Sequence, residues 1–136
     1  MEEEKRNNLM KHIRTYDINL VPRYLFEQVE RDWDVNRIYE LANFINTNPT
    51  MLLWTFINDD HIIKGVLWCT INLLNNSVFI NVLSVDREYR GKKLYSPMAV
   101  KILNDAGFEK IRWITTRANG FERLGYKKSD FVLMEV

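Results

Sequence analysis

Three basic side chains close together, Arg90, Lys92 and Lys93, form the part of the sequence best suited to bind a ligand. They come directly before residues 94–106, in which apolar side chains recur at helical spacing. Cations at a helix N-terminus are disfavoured by roughly 0.3–1 kcal/mol because the helix dipole is positive there. A bound anion would offset this penalty, so the cluster predicts an anion site. A solvated basic loop is the alternative, and the residues alone leave both open.

A second group of side chains could move protons. Tyr126 carries a hydroxyl near a short predicted helix, and Asp86 lies just before the basic cluster. Both are candidates for general acid–base work. Asp86 and Glu88 also fit a role in solvating the loop, and Glu122 fits a surface ion pair. No complete acid–base pair emerges from the sequence.

Composition excludes several classes of site. With only two His and one Cys, a Cys/His metal site is not expected. The lone Cys69 lies inside an apolar run, so we expect it to pack as an unreactive core residue and to form no disulfide within the chain. The net charge of +1 is too small to produce an electrostatic field that would favour binding to nucleic acid or to a membrane surface. The acidic N-terminal residues do not resemble a signal peptide, so we expect a reducing, cytoplasmic location.

The pattern of apolar and turn-forming residues predicts one domain, residues 1–136, of the α/β (α+β) class. Predicted strands cover residues 12–18, 52–57, 62–73, 78–85, 110–116 and 126–136. One predicted helix begins at Pro22, and a second is capped by Asp34 and runs to Ile45. Two more cover residues 94–106 and 118–124, and Gly107 is predicted to end the first of these two. The strand–helix–strand step over residues 78–116 implies a parallel pair. We therefore expect a mixed sheet of about six or seven strands with helices on both faces.

Two segments resemble the GNAT superfamily of acetyltransferases. LSVDREYRGKKL, residues 83–94, resembles the family's strand–loop–helix pattern V-x-P-E-Y-R-G-K-G-x-G. GFERLGYKKS, residues 120–129, resembles the C-terminal F-Y-E-K-L-G-F segment. The two segments lie at the family's usual separation, and the predicted element order fits almost the whole chain.

The resemblance implies that acetyl-CoA binds with its pyrophosphate at the N-terminus of the helix. The cofactor-binding residues implied are Val85, Arg90, Gly91, Lys92, Lys93, Leu94, Tyr95 and Ser96. The sequence departs from the family pattern where Lys93 replaces a glycine and Tyr95 replaces a Gly or Ala, and the Tyr95 side chain should collide with the pyrophosphate. Ser96-Pro97 also fits an N-cap followed by the first helical residue, which would start the helix later.

The family's usual acid is a Tyr, but Phe121 holds that position, and the family geometry points Tyr126 into the sheet. Two hypotheses follow. The first is a GNAT-like enzyme that transfers acetyl from acetyl-CoA to a small-molecule or protein amine by direct attack. The second is a catalytically degenerate GNAT-fold protein that binds a protein partner, with a composition similar to bacteriophage proteins of head assembly and hence a virion association.

Overall fold

The computed structural model describes residues 10–29, 33–90, 94–115 and 117–136. Three of the predicted ligand-binding residues, Gly91, Lys92 and Lys93, lie outside this part of the chain. In chain order the elements are β1 (Lys11–Thr15), a 3-10 turn (Ile18–Leu20), α1 (Arg23–Glu27), α2 (Val35–Glu40), α3 (Ala42–Thr47), β2 (Met51–Ile57), β3 (Ile63–Asn72), β4 (Ser77–Val85), a second 3-10 turn (Arg87–Tyr89), α4 (Tyr95–Asp105), β5 (Lys110–Arg112) and α5 (Ala118–Arg123).

The strands form one mixed sheet in the order β1-β2-β3-β4-β5. The first four are antiparallel neighbours, whereas β4 and β5 are parallel and joined through α4, as predicted. The described residues contain five strands, fewer than the six or seven expected. The prediction of a strand over residues 126–136 is wrong, because this segment makes no ladder with any described strand.

Each face of the sheet buries its own apolar layer. On one face α4 contributes Tyr95, Ala99, Ile102 and Leu103, which pack on strand residues that include Phe56. On the other face, residues from the α1–α3 region cover the sheet; they include Ile18, Val21, Leu25, Phe26, Ile38 and Ala42. Burial of these side chains at roughly 25 cal/mol per Å² supplies the main force that holds the helices to the sheet.

Local signals explain several helix boundaries. The carboxylate of Asp34 accepts a hydrogen bond from the amide of Asn36 at 3.1 Å, so the predicted cap is confirmed. The predicted continuous helix to Ile45 is instead two short helices, which meet at Leu41 where ψ rises to 14°. Gly107 ends α4 with φ of 100°, a conformation that residues with a Cβ rarely adopt.

A β-bulge interrupts β4 at Asn81. Val82 pairs with Trp68 and Ile80 pairs with Cys69, so Asn81 is an extra residue on its strand. Before the bulge, Val78 and Ile80 face the α4 layer; after it, Val82 faces the α1–α3 layer. The bulge therefore changes which side chains of β4 point toward each face.

Candidate functional site

The parallel strands β4 and β5 separate and leave a cavity between them. They pair only from Ser77 to Phe79 on β4, and β4 then continues to Val85 with no neighbouring strand on that side among the described residues. A cavity of about 150 Å³ occupies the gap. Its walls come from β4, α4, the segment after β5, α5 and the end of α1. The residues that line it are Val29, Ile80, Asn81, Val82, Leu83, Ser96, Val100, Trp113, Ile114, Thr115 and Phe121.

The cavity is mainly apolar with a few polar groups. Asn81, Ser96 and Thr115 are the polar members of its described lining, and none of these lining side chains is an acid or a base. An apolar cleft with a small number of polar groups is typical of a small-molecule site. Chemistry in this cleft would therefore depend on hydroxyls, backbone groups and residues just outside its wall.

Asn81 is a site residue that the sequence analysis did not identify. Its side-chain amide donates a hydrogen bond to the hydroxyl of Thr70 at 2.8 Å, which ties the bulge to β3. The only sign of this residue in the sequence is an asparagine within a predicted strand, since asparagine is depleted in strand interiors. The bulge itself depends on the pairing register of β3 and β4, which sequence spacing does not give.

Val85 ends β4 with its backbone directed into the gap. The next amide, of Asp86, donates to the Lys64 carbonyl on β3, so the Val85 carbonyl points the other way. This carbonyl accepts hydrogen bonds from Arg90 Nε at 2.8 Å and from Gln28 Nε2 at 2.9 Å. Arg90 is thus folded back against the strand end, and Gln28 links α1 to the same point.

The start of α4 differs from one sequence expectation. The helix begins at Tyr95 with Leu94 at its cap position, so the alternative in which Ser96 caps a later helix is wrong. Leu94 is half-buried against the α4 layer. The Met98 amide donates a hydrogen bond to the Leu94 carbonyl at 3.2 Å and so closes the first turn of the helix. The amides of Tyr95 and Ser96 precede this bond and have no partner inside the helix.

Tyr95 points into the core instead of over the start of the helix. Its ring packs edge-on against Phe56 with centroids 5.5 Å apart, and its hydroxyl accepts a hydrogen bond from the Met10 amide at 3.3 Å. Burial raises the pKa of this tyrosine. The Tyr95 ring therefore lies beneath the helix and not over its start, where the sequence led us to expect a collision with a pyrophosphate.

Tyr126 lies at the edge of the cavity. Its hydroxyl is 2.9 Å from Ser96 Oγ, and its ring packs against Trp113 with centroids 5.0 Å apart. Phe121 packs beside both rings. Since Ser96, Trp113 and Phe121 all line the cavity, the structure brings Tyr126 to the site, and the second candidate for proton transfer, Asp86, lies outside the lining.

Asp86 is held in a separate polar cluster. Its carboxylate accepts hydrogen bonds from the Tyr24 hydroxyl at 2.8 Å and the Glu88 amide at 3.2 Å, and Lys64 Nζ is 3.8 Å away. The Tyr24 hydrogen bond is the main cause that lowers the pKa of Asp86. Burial, followed by this carboxylate, raises the pKa of Tyr24 to about 12. A carboxylate with a lowered pKa is a weak base, so this geometry favours a structural role for Asp86.

The cysteine and the possible metal ligands in the described part of the chain offer no further chemistry. Cys69 is buried, and burial raises the pKa of its thiol to about 12, which keeps it protonated and unreactive. Within the described ranges, no set of three or more His, Cys, Asp and Glu side chains is arranged to hold a metal ion. The same ranges contain no helix with the length and apolar character needed to cross a bilayer.

Comparison with solved structures identifies the fold. Glucosamine-6-phosphate N-acetyltransferase from Arabidopsis thaliana is similar with a TM-score of 0.63 and 14% identity, over 95% of this chain and 99% of that one. AAC(6')-Iy, in complex with the bisubstrate analogue CoA-S-monomethyl-acetylneamine, gives a TM-score of 0.69 and 14% identity, over 95% and 98%. A predicted acetyltransferase with acetyl-CoA from Clostridium acetobutylicum is similar with a TM-score of 0.64 and 14% identity, over 94% of this chain and 96% of that one. No protein-family model and no curated protein matches the sequence.

The chain therefore has the GNAT acetyltransferase fold over nearly its whole length. The fold predicted from the two resembling segments is confirmed. Identity of 14% shows the architecture alone and does not establish an activity.

Proposed function

We propose that this protein is a GNAT-type acetyltransferase that moves an acetyl group from acetyl-CoA to an amine. The observation that carries the proposal is the cavity between the separated strands β4 and β5, next to the bulge at Asn81 and the first turn of α4. The solved neighbours support it, since one holds acetyl-CoA and another a bisubstrate analogue that joins CoA to acetylneamine.

The residues present fit a CoA-like ligand at two points. Arg90 holds the Val85 carbonyl through Nε, so its terminal nitrogens can be offered to an anion. The Tyr95 and Ser96 amides lie at the positive end of α4, where a phosphate is favoured.

Acetyl-CoA supplies an activated acetyl thioester when it is bound. The apolar lining around Ile80, Val82 and Val100 would exclude water from that group and limit its hydrolysis. Tyr126 is the hydroxyl that we assign to protonate the departing sulfur, with Ser96 as the positioning residue that holds it. This assignment replaces the acid that Phe121 cannot supply.

The cavity places a condition on the acceptor amine. Because no described lining side chain is titratable, no group in this lining removes a proton from an ammonium. The acceptor should therefore react in its neutral form, which loses its proton to water after attack on the carbonyl. The rate should follow the fraction of neutral amine as the pH rises.

A second candidate function is binding without catalysis. It is favoured by one observation: Arg90 and Gln28 of the chain itself already occupy the Val85 carbonyl at the open strand edge. In that case the fold would serve recognition of a partner protein. Addition of acetyl-CoA separates the two candidates, because only the acetyltransferase needs the gap to admit the ligand.

Amide chemical shifts measured during an acetyl-CoA titration test the proposal. The largest changes should occur on both sides of the gap, at residues 80–85 and 113–115, and free thiol should appear when an amine is added. If the spectrum stays unchanged at millimolar acetyl-CoA, the acetyltransferase proposal is wrong and binding without catalysis remains.

A further inference from the structure

The guanidinium of Arg90 has a fixed place in the structure but no acidic partner among the described residues. Its Nε donates to the Val85 carbonyl at 2.8 Å. None of the ion pairs between described residues includes Arg90. The acid four residues earlier, Asp86, has other partners: the Tyr24 hydroxyl at 2.8 Å and Lys64 Nζ at 3.8 Å. The terminal nitrogens of Arg90 are therefore not committed to a carboxylate of this part of the chain.

Gln28 shares the carbonyl that fixes Arg90. Its Nε2 donates to the Val85 carbonyl at 2.9 Å and to Ser84 Oγ at 2.6 Å. A carbonyl oxygen only accepts, so the amide nitrogen of Gln28 and not its oxygen must face it. That carbonyl oxygen has two lone pairs, and Gln28 and Arg90 supply one donor for each. Gln28 thus determines which side of the Val85 carbonyl remains for Arg90.

The end of α1 is attached to the end of β4 at a second point. Tyr24 lies one helical turn before Gln28, and its hydroxyl donates to Asp86 at 2.8 Å. Side chains four residues apart share one face of a helix, so the same face of α1 makes both contacts. Val85 and Ser84 are buried, so water competes little for the contacts of Gln28. The place of Gln28 therefore follows from how α1 packs on the strand.

The residue type at position 28 matters because Arg90 is a cation. A carboxylate at this position would repel the Val85 carbonyl oxygen and attract the guanidinium, which would then form an ion pair inside the chain. An apolar side chain would leave buried acceptors of Val85 and Ser84 without this donor. A neutral amide avoids both outcomes, because it donates twice and carries no charge.

We propose that Gln28 is a positioning residue of the acetyl-donor site. By sharing the Val85 carbonyl, it holds the Arg90 guanidinium on one side of that oxygen, with the terminal nitrogens presented to the diphosphate of acetyl-CoA. Gln28 acts through Arg90 and has no need to touch the ligand. This role rests on the proposed acetyltransferase function, because it concerns the same site.

The affinity for acetyl-CoA, measured by calorimetry, tests this role. Gln28→Glu should weaken binding about 10-fold, because the new carboxylate neutralises Arg90. Gln28→Met keeps the length of the side chain without its donors and should weaken binding by a smaller factor, about threefold. Asn43→Asp is the matched control for the added charge, because Asn43 is exposed on α3 and the change should leave the affinity as in the wild type.

A second background separates positioning from damage to the fold. In a chain that already carries Arg90→Ala, Gln28→Glu should cause no further loss of affinity, because the group that it captures is absent. A loss of the same size in both backgrounds would show that Gln28 acts on the structure alone, and it would overturn the proposal.

A donor without a diphosphate gives an independent readout. S-acetyl-N-acetylcysteamine carries the acetyl thioester but no nucleotide. Gln28→Glu should therefore lower kcat/KM about 10-fold for acetyl-CoA and leave it unchanged for the short donor. Equal reductions for the two donors would contradict the assigned role. If the wild type binds no acetyl-CoA, the acetyltransferase function fails and this role fails with it; if the wild type binds and Gln28→Glu binds equally well, only the role of Gln28 is wrong.

Discussion

The hydroxyl of Tyr126 lies 2.9 Å from Ser96 Oγ, which joins the segment after α5 to the first turn of α4. These residues are thirty positions apart in sequence, and the contact brings a hydroxyl to the edge of a cavity that has no titratable lining among its described residues. The rings of Trp113 and Phe121 both pack against the tyrosine ring. In the proposed acetyltransferase, Tyr126 and Ser96 are the pair that we assign to proton transfer.

Replacement of Tyr126 by Phe should lower kcat by about 100-fold, since a general acid contributes roughly 10²–10⁴ in rate. The KM for acetyl-CoA should change little, because the ring and its packing remain. Ser96→Ala should lower kcat by a smaller factor, about tenfold, through loss of positioning. Steady-state kinetics with a saturating amine measures both effects.

Tyr16→Phe is the control for this series, because Tyr16 is 72% exposed and lies outside the cavity lining. It should leave kcat and KM unchanged. A Tyr126→Phe enzyme with wild-type kcat would remove Tyr126 from the mechanism.

Tyr95 should behave as a core residue and not as a plug over the ligand site. Tyr95→Ala should lower the free energy of unfolding by about 3–5 kcal/mol, as for other large aromatic side chains removed from a core. Tyr95→Phe keeps the contact with Phe56 and should cost only about 0.5–1.5 kcal/mol, for the hydrogen bond to the Met10 amide. Urea denaturation gives both values. An increase in acetyl-CoA affinity on Tyr95→Ala, with stability retained, would show instead that the ring blocks the site.

The hydrogen bond between Asn81 and Thr70 should help to hold the bulge. Each single variant, Asn81→Ala and Thr70→Ala, should reduce the free energy of unfolding by roughly 0.5–1.5 kcal/mol. A double-mutant cycle should return a coupling of about 1 kcal/mol, because both changes remove the same bond. Strictly additive losses would mean that this contact does not stabilise the bulge.

Local signals in the sequence were enough to predict part of the fold. The Asp34 cap and the Gly107 stop each depend on the chemistry of one residue and its neighbours, and both are confirmed. The strand predicted over residues 126–136 failed because strand formation needs an adjacent edge in register, which β propensity does not supply.

The site was predictable only in part for the same physical reason. The order strand, loop and helix around residues 83–106 follows from local pattern, whereas the binding roles of Val85, Arg90 and Ser96 come from the family resemblance and stay predictions. The bulge at Asn81 and the contact between Ser96 and Tyr126 depend on register and on long-range packing. The core position of Tyr95 depends on how α4 rotates over the sheet, which no motif position specifies.

The Asp86 cluster should give stability that depends on pH. The Tyr24 hydrogen bond lowers the pKa of Asp86 below 3.8 in the folded protein. A carboxyl whose pKa is lower when folded stabilises the protein above its unfolded pKa, and that contribution disappears as the pH falls through the folded pKa. Asp86→Asn should therefore destabilise most at neutral pH, with the difference from wild type shrinking below about pH 4.

Denaturation at a series of pH values from 3 to 7 measures this dependence, with Asp59→Asn, at an exposed turn, as the control. A difference between Asp86→Asn and wild type that stays constant over this range would contradict the assigned role of the Tyr24 hydrogen bond.

Calorimetric titration with acetyl-CoA tests the acetyltransferase account most directly. The wild type should bind saturably with one site per chain, and Arg90→Ala should weaken binding by roughly 10- to 100-fold, the value of one charge-assisted hydrogen bond. Arg87→Ala, three residues earlier on an exposed turn, should bind as the wild type does. Absence of heat at millimolar acetyl-CoA, or equal affinity of the Arg90 and Arg87 variants, would contradict the account.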